Sequence, residues 1–147
     1  PNDFLILNEK TSIYQPMYLL NNGKVFFQAD EIKEADSRTF EIIRRLWDYN
    51  SVIGRDKKHI YINGQTFTNI DAETFKIVSI NEFREGHYTS EGAIYEITLE
   101  VIIKDKNGKY RIERDDNGIF SFVPANIRTR IRLNKINKQT EIPIQTQ

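Results

Sequence analysis

The stretch DKKHIYINGQTFTNIDAETFKIV, Asp56 to Val78, decides the fold because it lies on an earlier one. Moved back by thirty-five positions it covers NNGKVFFQADEIKEADSRTFEII, with Asp36, Thr39 and Phe40 falling on Asp71, Thr74 and Phe75. Val25, Phe26 and Phe27 match Ile60, Tyr61 and Ile62, and Ile32, Ala35, Ile42 and Ile43 match Phe67, Ile70, Ile77 and Val78. Apolar character is kept where identity is lost, as a repeated packing unit requires. Two copies are few for a solenoid, which needs about three units to bury its faces. The repeat is therefore expected inside one compact domain covering 1–147.

Within each copy the local signals are physical. Asn63-Gly64 tolerates positive φ and closes a tight hairpin between β-formers; Gln28-Ala29 stands there in the first copy and is a poorer turn. In D-x-x-T-F the Asp side chain accepts N–H groups of the following turn and the Thr hydroxyl helps to hold it, which leaves Phe40 and Phe75 to plug the core. Phe40, Ile43 and Trp47 then follow an i, i+3, i+7 pattern with Arg44 and Arg45 opposite, so a helix is expected near residues 37 to 48. The second copy instead runs into FKIVSINEF, whose β-branched content favours a strand.

This pattern resembles the DKNYY family, whose units carry an Asp-Lys-Asn lead, a Val-Tyr-Tyr strand, a Gly turn and an Ala-Asp-Pro-x-Thr-Phe closing turn. DKKHIYINGQ followed by IDAETFKIV is the better match, and the likeness covers residues 14–80. Lys58 replaces the lead Asn, Ile62 the second Tyr, and Ser37 and Ala72 the Pro of the closing turn. The resemblance implies a bacterial protein, of a family common among exported and surface proteins, and names no activity.

From Ala93 onward Tyr95, Ile97, Leu99, Val101 and Ile103 share one face and Glu96, Thr98 and Glu100 the other, which reads as a long half-buried strand. Asp105 to Gly108 and Asp115 to Gly118 are hairpin turns, Pro124 ends the next strand, and Ile127 to Leu133 reads as a fourth. Residues 83–138 are thus expected as a four-stranded antiparallel meander and 139–147 as a tail. The expected class is mainly β, or α+β with one helix: two hairpin and short-helix repeats packed against that meander.

Composition bounds function. Lys plus Arg and Asp plus Glu both number 21, so no net field gathers nucleic acid or an anionic membrane. Cys is absent, which excludes disulfides and thiolate metal sites but leaves the compartment open. No apolar run is long enough to span a bilayer, so membrane insertion is not expected.

The stock catalytic patterns are missing. His59 and His87, the two imidazoles, have no partner at metal-ligand spacing along the chain, and neither a catalytic residue, a metal nor a cofactor is expected. Asp105 to Lys109 and Asp115 to Gly118 look briefly like calcium loops but lack the alternating ligands and closing Glu.

The candidate contact residues are Trp47, His59, Tyr61, Arg128, Arg130 and Arg132. The three arginines form a stripe that suits an acidic partner, or else pair across the sheet with Glu96, Glu100 and Glu113. His59 and Tyr61 share the face opposite Ile60 and Ile62, either exposed as a contact surface or buried under the Trp47 helix.

These features point to a non-enzymatic bacterial protein-binding domain, an immunity-type inhibitor that occupies a secreted toxin. The alternative is a surface or envelope module of a larger exported protein. A hydrolase using Asp56 and Asp71 ranks last. The protein partner, the compartment (cytoplasm, periplasm or surface) and the oligomeric state stay open.

Overall fold

The computed structural model describes residues 5–6, 17–46 and 51–126. In those residues the chain runs β1 (Leu5–Ile6), β2 (Tyr18–Asn21), β3 (Lys24–Phe27), β4 (Asp30–Glu31), β5 (Glu41–Leu46), β6 (Ser51–Arg55), β7 (Ile60–Ile62), β8 (Gln65–Phe67), β9 (Lys76–Thr89), β10 (Gly92–Asp105), β11 (Gly108–Arg114) and β12 (Phe120–Pro124). Consecutive strands pair antiparallel into three four-stranded meanders, β1 to β4, β5 to β8 and β9 to β12. The repeat therefore has three units where two were expected, one sheet apiece.

The sheets pack in chain order. Tyr18, Val25 and Ile32 of the first unit share a core with Phe40, Val52 and Tyr61. Ile53, Ile60, Ile62 and Phe67 of the middle sheet share another with Phe75, Val101, Ile103, Ile112, Phe120 and Phe122 of the last. Side chains alternate along a strand, so Tyr61 and Val52 serve one layer while Ile60, Ile62 and Ile53 serve the other. The middle sheet is buried on both faces, which its unbroken Ser51-Val52-Ile53-Gly54 and Ile60-Tyr61-Ile62 runs require.

Both phenylalanine plugs are buried, Phe40 in the first layer and Phe75 in the second. The Phe40 ring sits 5.1 Å from that of Tyr18 and 5.6 Å from that of Tyr61. It also lies on the bare Gly54 backbone, where a Cβ would come within 2.6 Å of its tip. Asn63, at φ 48°, and Gly64, at φ 80°, close the β7–β8 hairpin as their sequence demands.

One expectation is corrected. No helix occurs among the described residues, and the one expected near 37–48 is a turn at 37–39 followed by β5. β-branched Ile42 and Ile43 favour extended backbone, and a register shift between Ile42 and Arg44 lets both isoleucines half-bury. The first copy thus enters a strand after its Phe, as the second does. β9 to β12 form a four-stranded antiparallel meander among the described residues, and Ile127 to Leu133, expected as a strand, lies outside them. The expected tail, 139–147, lies outside them too.

Candidate functional site

Two places gather polar side chains: the junctions between units and a ribbon projecting from the last sheet. At the first junction Asp56, at the β6–β7 turn, is 1% exposed. Its Oδ1 accepts the backbone N–H groups of Lys58 (2.8 Å) and His59 (2.7 Å), and its Oδ2 accepts the N–H of Asp36 (2.8 Å). The Asp36 carboxylate in turn accepts the Thr39 hydroxyl at 2.8 Å, while the Lys57 N–H donates to that same hydroxyl at 3.0 Å. Lys57 Nζ stands 3.6 Å from Asp36.

The second junction repeats this bond for bond. Asp105 Oδ1 accepts from Asn107 (2.8 Å) and Gly108 (3.1 Å), and its Oδ2 accepts the Asp71 N–H (2.9 Å). The Thr74 hydroxyl donates to Asp71 and accepts from the Lys106 N–H at 2.8 Å, with Lys106 Nζ 3.7 Å from Asp71. The Asp-Lys leads of the middle and last units, Asp56-Lys57 and Asp105-Lys106, thus each clamp the closing turn of the unit before. The Asp36 and Asp71 carboxyls are held below the usual carboxylate range, first by their Thr hydroxyls.

Tyr61 completes the first junction. Burial would raise the Asp56 carboxyl, but the Tyr61 hydroxyl at 2.6 Å and the three backbone donors outweigh it, and the net shift is downward. Tyr61 itself is driven far above its ordinary range by burial and by the Asp56 charge. His59 Nδ1 lies 3.3 Å from the Tyr61 hydroxyl. Tyr61 is neither exposed nor under a helix: it is buried at 0% exposure among Tyr18, Phe40 and Val52, so it offers a partner no area, and His59 is half-buried beside it. Trp47, Arg128, Arg130 and Arg132 lie outside the described residues. Asp56 and Asp71 serve different junctions, the Asp56 carboxylate accepting backbone N–H groups there and the Asp71 carboxylate accepting from Thr74. Glu113 pairs with Arg111 of its own strand at 3.1 Å.

The ribbon is the outer part of β9 and β10. β5 and β6 have 6 and 5 residues, while β9 and β10 have 14 each and stay paired from Lys76–Lys104 to Thr89–Gly92. β11 pairs with β10 at Ile102 to Asp105, so among the described residues the far part of the hairpin is a two-stranded arm. Burial stops near Ile80 and Leu99, yet apolar side chains do not. Tyr88 is 94% exposed, Tyr95 71%, Ile94 52% and Phe83 39%, and they occupy both faces. The Tyr95 ring lies over Gly86 at its cross-strand position. Register also brings Glu85 opposite Glu96, with His87 two residues along on the same face. None of these residues was singled out as a contact from sequence. The signal available was the apolar alternation through Tyr95, which fixes a face without saying what covers it.

A shallow open depression lies at the third unit's lead, lined by Asn107, Lys109, Tyr110, Pro124 and Asn126. Among the described residues no helix is long and apolar enough to cross a membrane. The model of the DKNYY family matches the chain over residues 2–65 and again over residues 18–142. Two overlapping matches are what a run of equivalent units produces. No curated protein and no solved structure gives a significant match.

Proposed function

This chain belongs to the DKNYY family, and we propose that it is a non-enzymatic bacterial binding module whose contact element is the β9–β10 arm. The observation that carries the reading is the exposure of Tyr88, Tyr95, Ile94 and Phe83 on a hairpin that pairs with no third strand among the described residues. A two-stranded ribbon is marginal in water, and tyrosines offer large amphipathic area at little entropic cost, so such a ribbon is suited to burial against another protein. The latched units act as the rigid base that presents it.

The narrower form of the reading is an immunity-type inhibitor that lays the arm on a secreted toxin. With no net charge on the chain, capture would rest on shape and apolar contact more than on long-range attraction. A second reading, a structural module of a larger surface or envelope protein, draws support from the repeated lead-and-turn latch, which suits serial units.

The test is co-expression with the products of neighbouring genes, using the intact chain and a variant in which Asn-Gly replaces residues 83–98. That variant joins the cross-strand pair Glu82 and Leu99 by a two-residue turn. A stable complex lost on trimming supports the arm. A complex unaffected by trimming overturns it, and no complex with any neighbour removes the toxin-inhibitor form.

A further inference from the structure

The same arm carries a second feature, independent of whether it binds a protein. Glu85 and Glu96 are direct cross-strand partners, an arrangement that sets two like charges side by side and destabilises a ribbon. Neither forms an ion pair with Lys or Arg among the described residues. The nearest guanidinium along the chain, that of Arg84, belongs to the opposite face and pairs with Glu82 at 3.5 Å. What stands beside the two carboxylates is His87, whose Nε2 lies 3.7 Å from Glu96. One ligand atom from each of the three lies within 4.8 Å of the others.

We propose that Glu85, His87 and Glu96 form a binding site for a zinc-class divalent cation that staples β9 to β10. Zinc binds imidazole nitrogen and carboxylate oxygen at about 2.0–2.2 Å, with neighbouring donors about 3.3 Å apart in a tetrahedron. Rotations of exposed side chains bring these three donors to that spacing without moving the backbone. Two carboxylates and one neutral imidazole offset the ion's charge to zero, and water takes the remaining position. The imidazole selects against calcium and magnesium, which take oxygen ligands. Ligands from both strands make the ion a cross-link, and it removes the repulsion between Glu85 and Glu96.

The test is titration of the full chain with zinc chloride, followed by calorimetry and by amide hydrogen exchange. One ion per chain is expected, with slowed exchange confined to residues 82–98. His87→Ala and Glu96→Gln should each weaken binding by about tenfold or more, while His59→Ala, which removes the other imidazole, should leave it unchanged. Calcium chloride at the same concentrations should not bind. Absence of saturable zinc binding, an unaltered titration for His87→Ala, or protection that appears outside the arm would each overturn the site. Urea unfolding of the variants, expected at the wild-type midpoint, separates lost ligation from lost fold.

Discussion

The two junctions can be laid on one another, and the strands between them cannot. At both, an Asp of the lead accepts the same three backbone N–H groups and a Thr hydroxyl bridges the lead to the closing turn. Between closing turn and lead, the middle unit has two short strands and the last has two of 14 residues. What recurs is the joint that holds units together, and what differs is the hairpin. The latch is therefore architecture, and the arm is the part free to specialise.

Substitution at the lead Asp should affect the two junctions unequally. Asp56→Ala strands a buried Tyr61 hydroxyl and three backbone donors, and should cost about 3–5 kcal/mol. Asp105→Ala strands the three backbone donors at a site 8% exposed, and should cost about 2–3 kcal/mol, both read from urea midpoints. Equal losses would mean that Tyr61 adds nothing.

The pH dependence follows from the same bonds. Asp36, Asp56 and Asp71 all have carboxyls held below their ordinary value. Their stabilisation is complete above about pH 4 and is lost as pH falls further, through the folded-state values. Urea midpoints should therefore drop between about pH 4 and pH 2 in the wild type, and drop less in Asp56→Ala. A midpoint independent of pH across that range would break the latch argument.

Next in size is the close approach that belongs to the first junction alone. A Cβ at Gly54 would meet the Phe40 ring at 2.6 Å, so Gly54→Ala should cost about 1–3 kcal/mol through overpacking. At Gly86, on the arm, a Cβ would come within 3.3 Å of a Tyr95 ring that is exposed and can turn away into solvent. Gly86→Ala should stay within about 0.5 kcal/mol of the wild type. Thermal unfolding of the pair measures how much less tightly packed the arm is.

Much of the body was legible because its signals are local. The Asp-Thr turn, the buried Phe40 and Phe75 and the Asn63-Gly64 hairpin each depend on neighbours a few residues away. The helix was misread because Phe40 and Ile43 keep a helical spacing while a bulge in β5 breaks the alternation that marks a strand. The third unit was missed although Asp105-Lys106-Asn107 spells the family's lead more faithfully than Asp56-Lys57-Lys58. Its long hairpin stretches the distance from closing turn to lead, so a constant offset slides past it. The Glu85, His87 and Glu96 cluster depends on strand register, which no single stretch of the chain encodes.

The smallest stability effect should come with the largest effect on contact. Tyr88 and Tyr95 touch little of the body, so Tyr88→Ser with Tyr95→Ser should shift the urea midpoint by no more than about 0.5 kcal/mol in equivalent stability. Anchoring aromatics at an interface, by contrast, cost about 2 kcal/mol or more each when truncated, so affinity for a partner captured by the intact arm should fall by about thirtyfold for each tyrosine that anchors it. Stability and binding would then separate along the same line that divides latch from arm. A double variant that unfolds early would instead show that the ring of Tyr95 over Gly86 holds the ribbon up, and the arm would join the architecture.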